Sequence, residues 1–222
     1  MNLHSLGRIG VALLALSSIA AAATITIPNN GSTVFFQESP SGSAVRTLGQ
    51  TFVVPTPTSE NILTSFGFAF ASGTDTSFDY KAMIYAWDTV NNRATGSALY
   101  TSPNRTGATA PSFTGLNLAL TPGTVYIAFL TTQNVVSNGF SNGLLNHNSG
   151  NVYSGGQAFQ QTSSGPTGTD VTTAAWTAVN GNTDFQFNAT FVSGGASVPE
   201  PSSFGMAMLG IAALGLGIFR RR

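Results

Sequence analysis

Between positions 24 and 192 apolar residues recur at every second position, in short runs separated by turn-forming residues. "TVFFQ" (33–37), "QTFVV" (50–54), "ILTSFGFAFA" (62–71), "YKAMIYAW" (80–87), "TVYIAFLTT" (124–132) and "DFQFNATFV" (184–192) each read as a β-strand. In the last, Phe185, Phe187, Ala189 and Phe191 fall on one face and Gln186, Asn188 and Thr190 on the other. That alternation predicts a sheet with one face on a core and the other in water. "PTPTSEN", "SGTDTS", "DTVNNRATG", "TPG" and "SSGPTGTD" read as turns, with Gly, Pro, Asn and Asp supplying the special backbone angles. The pattern predicts an all-β fold, a single antiparallel β-sandwich of jelly-roll type over residues 24–192. A β-helix is the alternative, but the chain shows no regular short repeat.

Composition narrows the partners. The 222 residues are 42% hydrophobic and only 7% charged, well below the roughly 25% usual in soluble domains, so solubility rests on hydroxyls, amides and glycine. Leaving out Arg8, Glu200 and the three terminal arginines, the body carries four basic residues (Arg46, Lys81, Arg93, Arg105) against seven acidic ones (Glu38, Glu60, Asp75, Asp79, Asp88, Asp170, Asp184). No basic stripe exists for a phosphate backbone, so nucleic acid is not an expected partner. Without cysteine there are neither disulfides nor thiolate metal sites.

The two ends read as targeting segments. His4 and Arg8 precede an apolar run over 9–19 and the small residues Ala21, Ala22 and Ala23. This order predicts a secretory signal peptide over 1–23, cut by signal peptidase after Ala23, with Ala21 and Ala23 filling its small pockets. At the other end, residues 204–219 are all apolar, serine-free and glycine-punctuated, and a helix of that length rises about 24 Å, near the lower limit for a transmembrane helix. Arg220, Arg221 and Arg222 would hold this basic tail on the cytoplasmic side and leave the body outside. Residues 193–203 form the linker: "SGGAS" is a flexible tether, and Pro199 and Pro201 keep the helix from running backwards.

"VPEPSS" (Val198, Pro199, Glu200, Pro201, Ser202, Ser203), followed by a short Gly- and Ala-rich helix and terminal arginines, resembles the PEP-CTERM sorting signal of exported proteins in Gram-negative bacteria. The resemblance covers about the last 25 residues. It implies recognition by an exosortase, cleavage near Pro-Glu-Pro, and release or attachment of the body at the cell surface. The same tail is also labelled the C-terminal domain of ice-binding proteins, which says nothing of the body. "GQTFVVP" (49–55), "YAWD" (85–88), "ATGSALYTS" (94–102), "LALTPGTVYIAFL" (118–130) and "NVYSGGQAF" (151–159) together resemble a β-sandwich module recurrent in exported proteins of this sorting class. That second resemblance implies fold and setting, not a reaction.

The body offers little catalytic chemistry. His147, in the polar "GLLNHNSGN", reads as a solvated loop histidine with no triad signature around it. Asp75 and Asp79 in "SGTDTSFDYK" read as turn residues; a glycosidase pair or a calcium site are their functional uses, though no D-x-D-x-D-G ligand series surrounds them. No catalytic residue and no other cofactor or metal is expected. Trp87 ends a strand shared with Met83 and Tyr85 and reads as core, whereas Trp176 and Tyr153 are candidate platforms for a sugar face. The expected function is a non-enzymatic cell-surface or matrix protein, delivered through the sorting signal and associated with biofilm or extracellular polysaccharide. A carbohydrate-binding module is the second reading, and a secreted hydrolase using Asp75, Asp79 or His147 the third.

Overall fold

A computed structural model describes residues 22–28, 32–38, 43–56, 60–107, 109–135, 141–164, 171–181 and 183–194. The expected signal peptide up to residue 21, Val198 to Ser202 of the sorting motif, the transmembrane helix and Arg220 to Arg222 lie outside the described residues. Among the described residues no helix is long and apolar enough to cross a membrane.

The chain builds strands β1 (Ala23–Ile27), β2 (Ser32–Glu38), β3 (Ser43–Val53), β4 (Glu60–Phe68), β5 (Asp79–Asp88), β6 (Arg93–Thr101), β7 (Arg105–Thr106), β8 (Ser112–Ala119), β9 (Val125–Thr131), β10 (Ser141–His147), β11 (Ala158–Ser164), β12 (Thr177–Ala178) and β13 (Phe187–Ser193). One sheet runs β1-β13-β4-β8; the other runs β12-β11-β3-β9-β5-β6, with β7 attached to β5. Every strand pairing is antiparallel. The separate two-stranded pair β10-β2 is stitched to the smaller sheet by bridges Phe70–Leu145 and His147–Phe185. The expected all-β antiparallel sandwich is the fold observed.

The alternation read in the last strand holds: Phe187, Ala189 and Phe191 are buried, Asn188 is exposed, and Phe185 joins the core just ahead of the strand. Across the interior they meet Phe52, Tyr126 and Ala128 of the larger sheet, with Phe52 stacked on Phe187 at 5.8 Å. In β4 the buried positions switch from Leu63 to Phe66 and Phe68, which a strict period of two forbids. A bulge explains it. The register passes directly from Leu63 to Ser65 against both neighbours, and the extra residue, Thr64, donates its hydroxyl to the Thr190 carbonyl at 3.1 Å.

The larger sheet is covered on both faces at its centre. Tyr126, Ala128 and Leu130 of β9 enter the sandwich, while Ile127 and Phe129 point the other way into a second cluster with Tyr85, Trp87 and Phe159. Segment 171–178 roofs this cluster. Trp176 is 3% exposed, meets Phe129 at 5.2 Å and Trp87 at 5.8 Å edge-on, and donates its indole N–H to the Val171 carbonyl at 3.0 Å. Trp87, Tyr85 and Met83 therefore do share a face and are packed, but on the outer side of the sheet, not between the sheets. Gly49 of β3 pairs with Phe129, and a Cβ there would sit 2.7 Å from the Phe129 Cβ, so only glycine leaves this strand room beside the cluster. Beyond the aromatics the same face turns polar: Thr47 and Thr131 share a 2.8 Å hydrogen bond, and the Gln133 amide donates to Gln161 at 3.2 Å.

Removing the roof's anchor should be costly. Trp176→Ala is expected to lower unfolding stability by about 3 kcal/mol in urea titration and to shift Trp87 emission to the red; an unchanged midpoint and emission would show that the segment does not cover the sheet. A second expectation concerns alkali. Burial raises the phenols of Tyr80, Tyr100 and Tyr153 above the ordinary value of 10.0, with Arg105 opposing it at Tyr80 and Tyr100. Their folded pKa exceeds the unfolded one, so this stabilisation is complete below about pH 10 and is lost as pH rises through the folded values. Tyrosinate absorbance should therefore rise together with loss of structure; full ionisation of these phenols in a still-folded protein contradicts the burial described.

Candidate functional site

Loop 151–157, between β10 and β11, is held by a buried carboxylate. Asp184, 0% exposed at the approach to β13, takes the Gln50 side-chain amide on Oδ1 at 2.9 Å. Its Oδ2 accepts the backbone N–H groups of Val152 at 2.8 Å and Tyr153 at 2.9 Å. Gln50 returns the connection by accepting the Phe185 N–H at 2.8 Å. The loop's far end is fixed to β3: Gln157 N donates to the Thr51 hydroxyl at 2.9 Å, and Thr51 N donates to the Gln157 carbonyl at 3.0 Å. Gly156 is needed because any Cβ would collide with the Thr51 carbonyl.

This loop walls a cleft of about 360 Å³ on the outer face of the larger sheet, beside the Trp87 end of the aromatic cluster. Val53, Trp87, Val125 and Phe159 give it an apolar floor. Thr89 and Asn92, from the β5-β6 turn, line it together with Asn151, Ser154 and Gln157 of the loop and with Thr51 of β3. Asn92 holds a left-handed backbone (φ 47°), which asparagine tolerates, and its carbonyl accepts the Trp176 N–H at 2.7 Å. The turn is thus tied to the roof. Every residue lining the cleft is uncharged.

The residues singled out by sequence fall elsewhere or in other roles. Trp176, expected as a sugar platform, has its ring enclosed by Phe129 and Trp87 and its N–H bonded, so neither face is presented to a ligand. Tyr153 stands in the cleft-wall loop, but its ring packs on the sandwich core and its hydroxyl lies 3.2 Å from the Val53 N–H, which donates to it. Asp75 Oδ2 accepts the Asn142 N–H at 2.7 Å, and Asp79 accepts the Thr106 hydroxyl. Among the described residues no group of three or more His, Cys, Asp or Glu side chains comes together to hold a metal ion. His147 corrects the expectation of a solvated loop: it ends β10, is 4% exposed, and its Nδ1 meets the Asn148 carbonyl at 2.8 Å. Asp184, Asn92, Asn151 and Gln157 carry no motif that marks them as site residues; the local signal is the "GG" at 155–156, which marks a close backbone approach.

A second functional feature lies where the strands meet the two ends of the chain. β1, the first strand, pairs with β13, the last, with Ala23 opposite Phe191 and Ile27 opposite Phe187. The start of β1 and the end of β13 therefore leave the sandwich at the same end. A cut after Ala23 would spare the core-facing Ile25 and Ile27. The six residue steps from Ser193 to Pro199 can span at most about 20 Å.

No curated protein matches the chain. Residues 197–222 match the family model of the PEP-CTERM protein-sorting motif. The motif implies secretion, membrane-associated sorting and processing by an exosortase. The chain thus carries a PEP-CTERM protein-sorting motif that begins four residues after Ser193, the end of β13, behind a β-sandwich body.

Proposed function

We propose that the protein is a non-enzymatic component of the cell surface or extracellular matrix. Signal peptidase removes the N-terminal segment, and the C-terminal helix holds the chain in the inner membrane until an exosortase cuts near Pro199 to Pro201 and delivers the body to the surface, where it associates with biofilm or extracellular polysaccharide. The sorting motif at 197–222 carries this reading. The pairing of β1 with β13 supports it, because the start of β1 and the end of β13 lie at one end of the sandwich, so that processing on either side leaves the opposite end of the body undisturbed. The absence of a catalytic assignment is supported by how the reactive side chains are used. Asp75, Asp79, Asp184 and His147 each hold the fold's own backbone or hydroxyl groups. The proposal requires no cofactor, and calcium at Asp75 and Asp79 is not part of it. A second reading, that the body binds carbohydrate, is favoured by the neutral cleft beside Trp87.

Intact mass and fractionation of the protein from host cells with and without the exosortase test the delivery step. With the enzyme, the body is expected to start at Thr24, give or take a residue, to lack roughly the last two dozen residues, and to leave the membrane fraction. Without it, the tail should remain and the protein should stay in the inner membrane. The same intact C-terminus in both strains overturns the proposal.

A further inference from the structure

We infer that the cleft beside Trp87 binds a neutral glycan chain, through the carboxamides of Asn92, Asn151 and Gln157 above an apolar floor. This deepens the carbohydrate-binding reading and rests on it. No charged side chain lines the cleft, so an anionic or cationic ligand would lose its hydration without a counter-charge. The three carboxamides each offer donors and an acceptor, which is the pairing a sugar hydroxyl needs, since it donates and accepts at once. None of the three side chains is hydrogen-bonded to another described residue, so their capacity is free for a ligand.

Four of the wall's backbone donors, in contrast, are spent. Val152 and Tyr153 N–H groups go to Asp184, Gly156 N–H to the Tyr153 carbonyl, and Gln157 N–H to Thr51. A peptide seeking to add a strand would find those four groups already paired, whereas a ligand read by side-chain amides loses nothing. Trp87 is 8% exposed, so it offers an edge of apolar surface to sugar C–H groups and not a full stacking face. The cleft's volume lies at the lower end of the range for small-molecule sites, enough for a short stretch of a chain that continues into solvent on either side. Its wall is fixed before any ligand arrives, which limits the ordering cost of binding.

The test uses the protein as purified from the host, titrated calorimetrically with cellohexaose, maltohexaose, mannohexaose and xylohexaose, with polygalacturonate as the charged comparison. At least one neutral oligosaccharide is expected to bind, with an affinity that does not change between low and high salt. Asn151→Ala and Gln157→Ala should each weaken it about three- to tenfold, and Asn117→Ala, on exposed β8 of the other sheet, should leave it unchanged. A second readout needs no variant: in the wild-type protein the side-chain amide resonances of Asn92, Asn151 and Gln157 should move on addition of the bound sugar. Binding of none of the neutral oligosaccharides, binding of polygalacturonate alone, or neutral binding that leaves those resonances and both variants unaffected overturns the inference. Sorting does not enter this assay, so sugar binding with an uncut tail in cells counts against delivery alone, and normal processing without sugar binding counts against the cleft alone.

Discussion

A carboxylate cut off from water must be hydrogen-bonded on both oxygens or it costs several kcal/mol, and Asp184 meets that demand with donors from two separate parts of the chain. Gln50 comes from the centre of the larger sheet, Val152 and Tyr153 from the loop that walls the cleft, and Asp184 itself from the approach to the last strand. One buried charge thus fixes three things at once: how the final strand enters the smaller sheet, where loop 151–157 lies, and the width of the cleft that loop encloses. The Gln50 carbonyl oxygen, by accepting the Phe185 N–H, keeps the same arrangement from leaving a backbone donor stranded in the core.

The second constraint is that the larger sheet has no solvated face at its centre. With so few charges on the body, an apolar outer face left open would invite association, and the chain instead folds residues 171–178 across it. The outer face then divides along its length into a polar network around Thr47, Thr131 and Gln161, the roofed aromatic cluster, and the open cleft over Val53, Val125 and Phe159. The cleft is the part of that face the roof does not reach, which is why an apolar floor and a hydrophilic rim occur together there.

Legibility in the sequence follows from where each element sits. Strands buried on one face, such as 184–192, or containing long apolar runs, such as 124–132, are readable because burial dictates their side chains. The unbroken "VYIAFL" is explained by burial of β9 on both faces, a layer that alternation alone does not reveal. β6 and β8 are edge strands exposed over most of their length, so they carry no alternating signal and "DTVNNRATG" reads as turn although β6 begins at Arg93. β10 is interrupted by Gly143 and two asparagines, which hides both the strand and the burial of His147 at its end. Trp176 lies in a segment without periodicity, where nothing local tells a platform from a roof. The sorting motif was fully legible because it is a linear signal, matched over 197–222 without reference to the body's fold. The cleft was not, because its lining is drawn from four separated stretches of the chain that share no spacing.

A tail that carries a sorting motif follows a body whose outer face bears a cleft, and the wall of that cleft depends on the approach to the last strand being locked in place. Amide hydrogen exchange at Val152 and Tyr153, compared between the wild-type protein and Asp184→Asn, tests that lock most directly. Asparagine keeps the shape but offers one acceptor oxygen where the carboxylate uses two. The prediction is that both amides lose protection in the variant while those of central strand β9 keep theirs. Equal protection of Val152 and Tyr153 in the two proteins would contradict the account, since the loop and its cleft would then be held by something other than the buried carboxylate.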